Sequence, residues 1–230
     1  MFTSNFRYNA LMKKNDYHHG NLKEEFLQIA FEFIHREDVE KLTLKVLSDA
    51  TGTSRSAIYR HFSSKDALME ELIRQGFEEF DSITSPILLN REFPLVDRFY
   101  NTSKVYIKWA KENPNLYRLL FGRKYAYIRE EILSIKEENC DAFGALRKAV
   151  EEGQKSGILK REDSLKQSII IWSSLHGLSS LIIDGFMDVE ELSDELVDDM
   201  FQLLLAGLIA KKVKLLSVLP FGDRVLTPKG

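Results

Sequence analysis

The sequence predicts an all-α protein of about nine helices, and three observations carry that prediction. Glycine and proline are scarce, at 12 and 5 in 230 residues, and the prolines lie far apart. Apolar residues recur at intervals of three and four along most of the chain, which is the period of an amphipathic helix. No segment is convincing as a strand. We therefore expect helices throughout.

The first predicted helix begins after Asn21, a residue that can cap it, and loses its apolar period near Arg36. Thr43 can cap a second, short helix, and Gly52 follows that helix where a left-handed residue is needed. Ser54 can cap a third helix, which is predicted to end at Phe62. The second and third helices are thus short, and all three lie close together in the sequence.

A fourth helix is predicted from Lys65, because Ser63 and Ser64 can cap it, Ser63-x-x-Asp66 fits a capping box, and apolar residues follow at helical spacing. Pro86 and the sequence ILLNREFP indicate a boundary near residues 84–94. Asn113-Pro114, Gly122 and Gly157 interrupt the later pattern. The remaining helices are predicted at 95–111, 115–121, 125–156, 163–184 and 190–212.

The segment TGTSRSAIYRHFSSK, residues 51–65, concentrates hydroxyl and basic side chains in a protein with a net charge of −3. Two short helices joined by a tight glycine-containing turn form a helix-turn-helix, whose second helix enters the major groove of DNA. Arg55 is suited to pair bidentately with guanine, and Ser54 and Ser56 can adapt to several base edges. The alternative is a set of helix caps and solvated polar residues. A third helix this short buries little apolar surface, which favours DNA binding.

This stretch resembles the DNA-binding domain of the TetR family of bacterial transcriptional regulators. The resemblance spans about residues 17–75 and is carried by YHHGNLKEEFLQIAFEFI and LTLKVLSDATGTSRSAIYRHFSSKDALMEELI. It implies that the first three helices bind DNA, that the fourth links them to a ligand-sensing body, and that a homodimer binds a palindromic operator. The family's DNA contacts match this sequence at Thr43, Ser54, Arg55, Ser56, Tyr59, His61 and Lys65.

Three regions are predicted on this basis: a helix-turn-helix domain at 17–75, a helical ligand-binding and dimerisation domain at 84–213, and a tail at 214–230. A Trp-x-x-x-His-Gly pattern at Trp172, His176 and Gly177 is similar to a TetR subgroup named for those three residues. The segment NPNLYRLLFG at 113–122 is similar to the same subgroup.

Aromatic residues cluster in the predicted body and can line an apolar pocket or fill a core. If an effector exists, the composition favours a small apolar or aromatic molecule. His176 can hydrogen-bond such a ligand or be a satisfied core histidine. The candidate pocket residues are Tyr106, Trp109, Tyr117, Phe121, Phe143, Trp172 and His176.

The last two predicted helices combine small and apolar residues on one side, which allows close helix packing. Two such helices from each subunit can form a four-helix dimer interface; the alternative is that both pack inside the monomer. The candidate interface residues are Ser173, Gly177, Leu196, Met200, Leu203, Leu204 and Gly207.

Several classes of function are disfavoured by the sequence. Cys140 is the single cysteine, so no internal disulfide can form, and no apolar run has the ~18 residues of a membrane span. The N-terminus lacks a signal-peptide core, so we expect a cytoplasmic protein. His18-His19 has no metal-ligand partner at a suitable spacing. We expect no metal, no cofactor and no enzymatic activity.

The prediction is therefore a repressor that binds operator DNA as a homodimer and is released by a small effector. The first alternative is a DNA-binding regulator without a small-molecule effector. The second is a helical enzyme or carrier that does not bind DNA.

Overall fold

The computed structural model describes residues 22–135, 141–186 and 193–210, and over those residues the fold is all-α. Ten α-helices occur in this described part of the chain, with one 3₁₀ turn at Val39–Lys41. The helices are α1 (Leu22–Arg36), α2 (Leu44–Thr51), α3 (Arg55–Tyr59), α4 (Lys65–Leu89), α5 (Leu95–Glu112), α6 (Pro114–Phe121), α7 (Ala126–Ile135), α8 (Ala142–Lys155), α9 (Ser164–Ile183) and α10 (Ser193–Leu208).

Local capping explains the ends of the short helices. Thr43 accepts a hydrogen bond from the Val46 N–H at 3.1 Å and so caps α2, as predicted. Gly52 ends α2 with a φ of 65°, a left-handed conformation that glycine adopts without strain. Asn21, the predicted cap of α1, lies outside the described residues, as do Cys140, His18-His19 and the predicted tail at 214–230.

Two predicted helix limits are wrong. The α3 helix ends at Tyr59 rather than Phe62, although the Phe62 N–H still donates to the Ile58 carbonyl at 2.9 Å. The predicted start of α4 at Lys65 is confirmed, and of its two predicted caps it is Ser64 whose hydroxyl accepts a hydrogen bond from the Ala67 N–H. The predicted helix 125–156 is two helices, since Asp141 has extended backbone and caps α8 through the Gly144 N–H at 2.8 Å.

Pro86 lies inside α4, which continues to Leu89 before the chain turns into α5. A proline within a helix lacks the N–H that would bond to the carbonyl four residues earlier, here that of Ser82. Ser82 and Pro86 are both exposed, so water can reach that carbonyl. The boundary between helices therefore lies at residues 90–94, within the predicted range and beyond the proline.

The described residues divide into two compact units. The N-terminal unit contains the residues up to Gly76 together with Asn115–Leu133, and the body unit contains Phe77–Pro114 and the described residues from Ser134 onward. In the N-terminal unit, the side chains of Leu116 and Leu120 lie against Gly76, where an added Cβ would approach Leu120 to 2.9 Å. Lys124 also pairs with Glu40 at 2.5 Å.

The body unit is built around α5, which packs against α9 and α10, while α8 packs against α9. Phe80 contacts Tyr106 and Trp109 on α5, with ring centroids 5.1 and 5.0 Å away. Tyr100 packs its ring against Phe201 on α10 and donates its hydroxyl to Asp198 at 2.7 Å. None of the described helices has both the length and the apolar character of a membrane span.

Gly153 is required where α8 ends and the chain turns back. An alanine Cβ at this position would lie 2.7 Å from side-chain carbons of both Leu95 and Leu159. The same turn brings Leu159 into an antiparallel bridge with Ile209, with the Lys160 N–H donating to Leu208 and the Ala210 N–H to Ile158. The glycine thus permits close packing between α8, α5 and the bridge.

We expect Gly153→Ala to lower the free energy of unfolding by about 1–3 kcal/mol, the usual cost of an overpacked core. Urea denaturation measures the change. The double variant Gly153→Ala/Leu159→Ala should lose less than the sum of its single variants, because the shorter side chain makes room for the new methyl group. Strict additivity would show that the contact with Leu159 is not the cause.

Candidate nucleic-acid interface

The α3 helix is short and is held in place by one fully buried side chain. Ile58 has no exposed surface, whereas Arg55, Ser56 and Tyr59 point to solvent, with Tyr59 55% exposed. Five helical residues supply little packing area, so this helix relies on Ile58 and on its caps for position. The result is a short helix that presents its polar side chains outward.

The first turn of α3 combines a helix cap with a pair of hydroxyl groups. Ser54 accepts from the Ala57 N–H at 3.2 Å, and its hydroxyl lies 2.7 Å from that of Ser56. Both hydroxyls are exposed, yet each has a partner inside the helix. Arg55 stands between them and is exposed, so it is the cation available at this end of the helix.

The remaining sequence-predicted contacts flank α3. Thr43 is exposed at the start of α2, and Lys65 is half-buried at the start of α4. His61 is exposed, and its ring meets the edge of Phe26 with centroids 5.8 Å apart, which restricts its orientation. All seven predicted DNA contacts therefore have solvent access in this unit; that they touch DNA stays a prediction.

Two further exposed cations lie in the same segment and were not singled out from the sequence. Lys45 is in the first turn of α2, and Arg60 directly follows α3. Positive side chains beside a recognition helix can contact phosphates without reading bases. In the sequence, their position close to the predicted ends of the two short helices is the signal that could have identified them.

The seven predicted pocket residues fall in two units. Tyr117 and Phe121 pack together in the N-terminal unit, with ring centroids 4.8 Å apart. In the body unit Trp109 is buried and donates its ring N–H to Glu79 at 2.8 Å, next to the buried Tyr106.

A second aromatic group in the body unit is more open. Trp172, which is 36% exposed, lies between Phe143 and His176, with centroid distances of 6.0 and 5.7 Å. A polar imidazole beside two aromatic rings at the surface is compatible with a ligand contact. The role of this group as a pocket stays a prediction.

The predicted dimer residues lie on open surface of α9 and α10. Leu203 is 76% exposed, and a Cβ added at Gly177 or Gly207 would meet no atom within 4 Å. Leu196, Met200 and Leu204 are half-buried, and Ser173 is exposed. Leu181 adds a further apolar side chain that is 44% exposed. A continuous partner surface on this face stays a prediction.

In the described ranges, no group of three His, Cys, Asp or Glu side chains could hold a metal ion.

The exposed positive and hydroxyl side chains of residues 43–65 form the best-defined candidate site, and their chemistry suits a polyanion.

Two family models match the chain and together cover more than half of it. Residues 26–72 match "Bacterial regulatory proteins, tetR family", and residues 99–207 match "Tetracyclin repressor-like, C-terminal domain". The first range contains α3 and both flanking helix starts, and the second contains most of the body unit.

Curated relatives include nucleoid occlusion factors named SlmA. The protein from Vibrio cholerae serotype O1 is 31% identical over 115 residues, which is 49% of this chain and 57% of the relative. One from Aliivibrio fischeri strain MJ11 is 32% identical over 115 residues, 50% of this chain and 58% of the relative. The match thus spans under two thirds of these relatives.

Solved structures share the fold. A protein from Rhodococcus sp. RHA1 superposes with a TM-score of 0.69 at 21% identity, over 86% of this chain and 100% of the other. The regulator PfmR from Thermus thermophilus gives a TM-score of 0.58 at 17% identity, over 79% and 97% of the two chains. At sequence identities this low, the similarity shows a shared fold and nothing more.

Proposed function

Because the chain belongs to the TetR family of bacterial regulatory proteins, we propose that it represses transcription by binding a palindromic operator as a homodimer. The family and the N-terminal helix-turn-helix make it a DNA-binding transcriptional regulator. Repression, dimerisation and an effector are the finer parts of the proposal. A regulator of chromosomal genes acts where the DNA lies, so we place the protein in the cytoplasm.

The observation that carries the proposal is the construction of α3. Its one buried anchor, Ile58, leaves the first turn free to present Arg55 beyond the surface of the unit. Arginine pairs bidentately with guanine in the major groove, and helix N-termini favour phosphate oxygens. Thr43 and Lys65, at the starts of α2 and α4, would contact the DNA backbone on either side of α3.

The homodimer is proposed through the exposed face of α9 and α10. Leu203 and Leu181 are large apolar side chains left in water, and Gly177 and Gly207 allow another helix to approach closely. A two-fold axis through this face would bring the same residues together from both subunits. Two recognition helices would then read half-sites about 34–36 Å apart, or a multiple of that spacing.

The proposed effector is a small apolar or aromatic molecule that contacts the group formed by Phe143, Trp172 and His176. Two rings and one imidazole offer apolar contact and one polar anchor. Release from DNA requires the effector to bind the free protein more tightly than the DNA-bound protein. By linkage, operator DNA must then weaken effector binding by the same factor.

The second candidate is a DNA-binding protein that acts without a small effector, through a protein partner or its abundance. The match to proteins named nucleoid occlusion factors favours it, since that name describes a role at the nucleoid and no small ligand. A thermal-shift screen separates the two, because a ligand of the native state raises the melting temperature. An enzyme or carrier without DNA binding is disfavoured by the family.

Fluorescence anisotropy on DNA from upstream of the protein's own gene tests the proposed function. We expect tight binding that weakens steeply with salt and that prefers the native duplex to a scrambled one. Tyr59→Phe should weaken binding to both duplexes to a similar degree, because a phosphate contact carries no sequence information. Equal affinity for both duplexes at every salt concentration would count against an operator in this DNA, and selection from random DNA would then search for one.

A further inference from the structure

A surface pocket of about 240 Å³ lies in the body unit, between the end of α4 and one face of α8. Leu89 and Arg91 form one side of it, and the other side carries charged residues spaced three or four apart along the helix. Such spacing places side chains on a single helix face. The α8 residues that line the pocket are Lys148, Glu151, Glu152 and Lys155.

The two carboxylates in this pocket are already bound by arginines. Glu152 accepts hydrogen bonds from both terminal guanidinium nitrogens of Arg98, whose side chain is 3% exposed. The Arg91 Nε lies 3.4 Å from the same carboxylate. The Arg98 hydrogen bond holds the pKa of Glu152 below its usual value, so this carboxylate is ionised at neutral pH. Glu151 pairs with Arg147 at 3.3 Å and accepts from the Ser164 hydroxyl.

Positive charge is therefore in excess at the pocket. Arg91, Lys148 and Lys155 line it, and Arg98 and Arg147 stand behind its two carboxylates. Lys148 has an interaction of its own; leaving it aside, four cations face two anions, in a protein whose net charge is −3. Arg91 contacts Glu152 through its Nε and its side chain is 81% exposed, so its terminal guanidinium nitrogens can donate to a further acceptor.

We propose that this pocket binds a small oxyanion with two or more negative charges, from carboxylate or phosphate groups. Arg91, which is 81% exposed at its side chain, would pair bidentately with the anion, while Lys155 would contribute a point charge from the opposite side. The volume is below the roughly 300–1,000 Å³ of sites for drug-sized ligands, which suits a compact anion. Leu89 supplies an apolar wall.

This site is distinct from the aromatic group proposed for the effector, and it does not depend on the proposed operator. The matching ligand is defined by its charge and size. Polyphosphates and polycarboxylates can accept hydrogen bonds from the same donors. One probe of each kind therefore distinguishes the two classes of ligand.

Isothermal titration calorimetry on the full-length protein without DNA tests the proposal, with pyrophosphate and citrate as probes in buffers of matched ionic strength. We expect saturable binding of one anion per chain for at least one probe. Arg91→Gln and Lys155→Gln should each weaken it by about tenfold, the usual effect of losing a hydrogen bond to a charged group. Both side chains sit at the rim of the pocket, so the fold should persist.

Lys108→Gln is the matched control, because it removes one positive charge from an α5 side chain that is 73% exposed and outside the pocket. It should bind the probe as the wild type does. The proposal is overturned if neither probe gives saturable heat, if the two rim variants bind as tightly as the wild type, or if Lys108→Gln weakens binding equally. The last result would indicate a general response to net charge.

Discussion

Replacing Arg55 with alanine is expected to weaken operator binding by about 30-fold or more, with a much smaller effect on non-specific DNA. A bidentate arginine–guanine pair contributes about 1–3 kcal/mol of discrimination, and a homodimer loses two such pairs. The structure leaves Arg55 exposed between two hydroxyls that form a hydrogen bond with each other, so Arg55 itself is open to a base edge. Anisotropy titrations on the operator and on a scrambled duplex measure both effects.

Arg161→Ala is the control for Arg55→Ala, because it removes the same charge from an exposed position in the body unit. It should leave both affinities near those of the wild type. If Arg55→Ala bound the operator with unchanged affinity, base reading would have to come from other side chains, with Ser56 and the exposed Arg60 as the next candidates.

Replacing Leu203 with glutamate is expected to convert the proposed dimer to a monomer without unfolding the chain. Leu203 is 76% exposed, so a glutamate there meets few neighbours in one subunit. In a two-fold interface the carboxylate would be buried from both sides, at a cost of several kcal/mol. Sedimentation velocity should show the smaller species, and affinity for a complete palindrome should fall by about a hundredfold or more, because each half-site would then be bound separately.

Gln202→Glu is the matched control, since it adds the same charge at the next residue of α10, on a different face of the helix. We expect it to remain dimeric and to bind the operator as the wild type does. A dimer that persists in Leu203→Glu would place the subunit interface elsewhere on the chain.

Features decided by neighbouring residues were predictable from the sequence. Thr43, Gly52 and Ser54 act within a few residues of their own position, and the structure confirms their roles as helix caps. The sequence does not mark the start of α8 after Asp141, because no glycine or proline directly precedes it and the cap has no glutamate or glutamine three residues later. Pro86 indicates a boundary in the sequence, whereas in the structure it lies on an exposed face within α4.

Features decided by distant residues were not predictable. The sequence shows the same residue type at two positions of the body, yet Trp109 is buried and hydrogen-bonded to Glu79, while Trp172 lies at the surface. The charged face of α8 lines a pocket because Leu89 and Arg91, from much earlier in the chain, lie beside it. Periodicity identifies which face of a helix is charged, but it carries no information on what packs beside that face.

The discontinuous N-terminal unit limits how this regulator can be recombined with others. Leu116 and Leu120 are fully buried and lie against Gly76, so a fragment that stops after the fourth helix would expose the surface they cover. A chimera that exchanges only the contiguous N-terminal segment would join a foreign α4 to native α6 side chains. Transplanting the DNA specificity of this protein therefore requires two inserted segments, or a graft confined to the exposed side chains of α3.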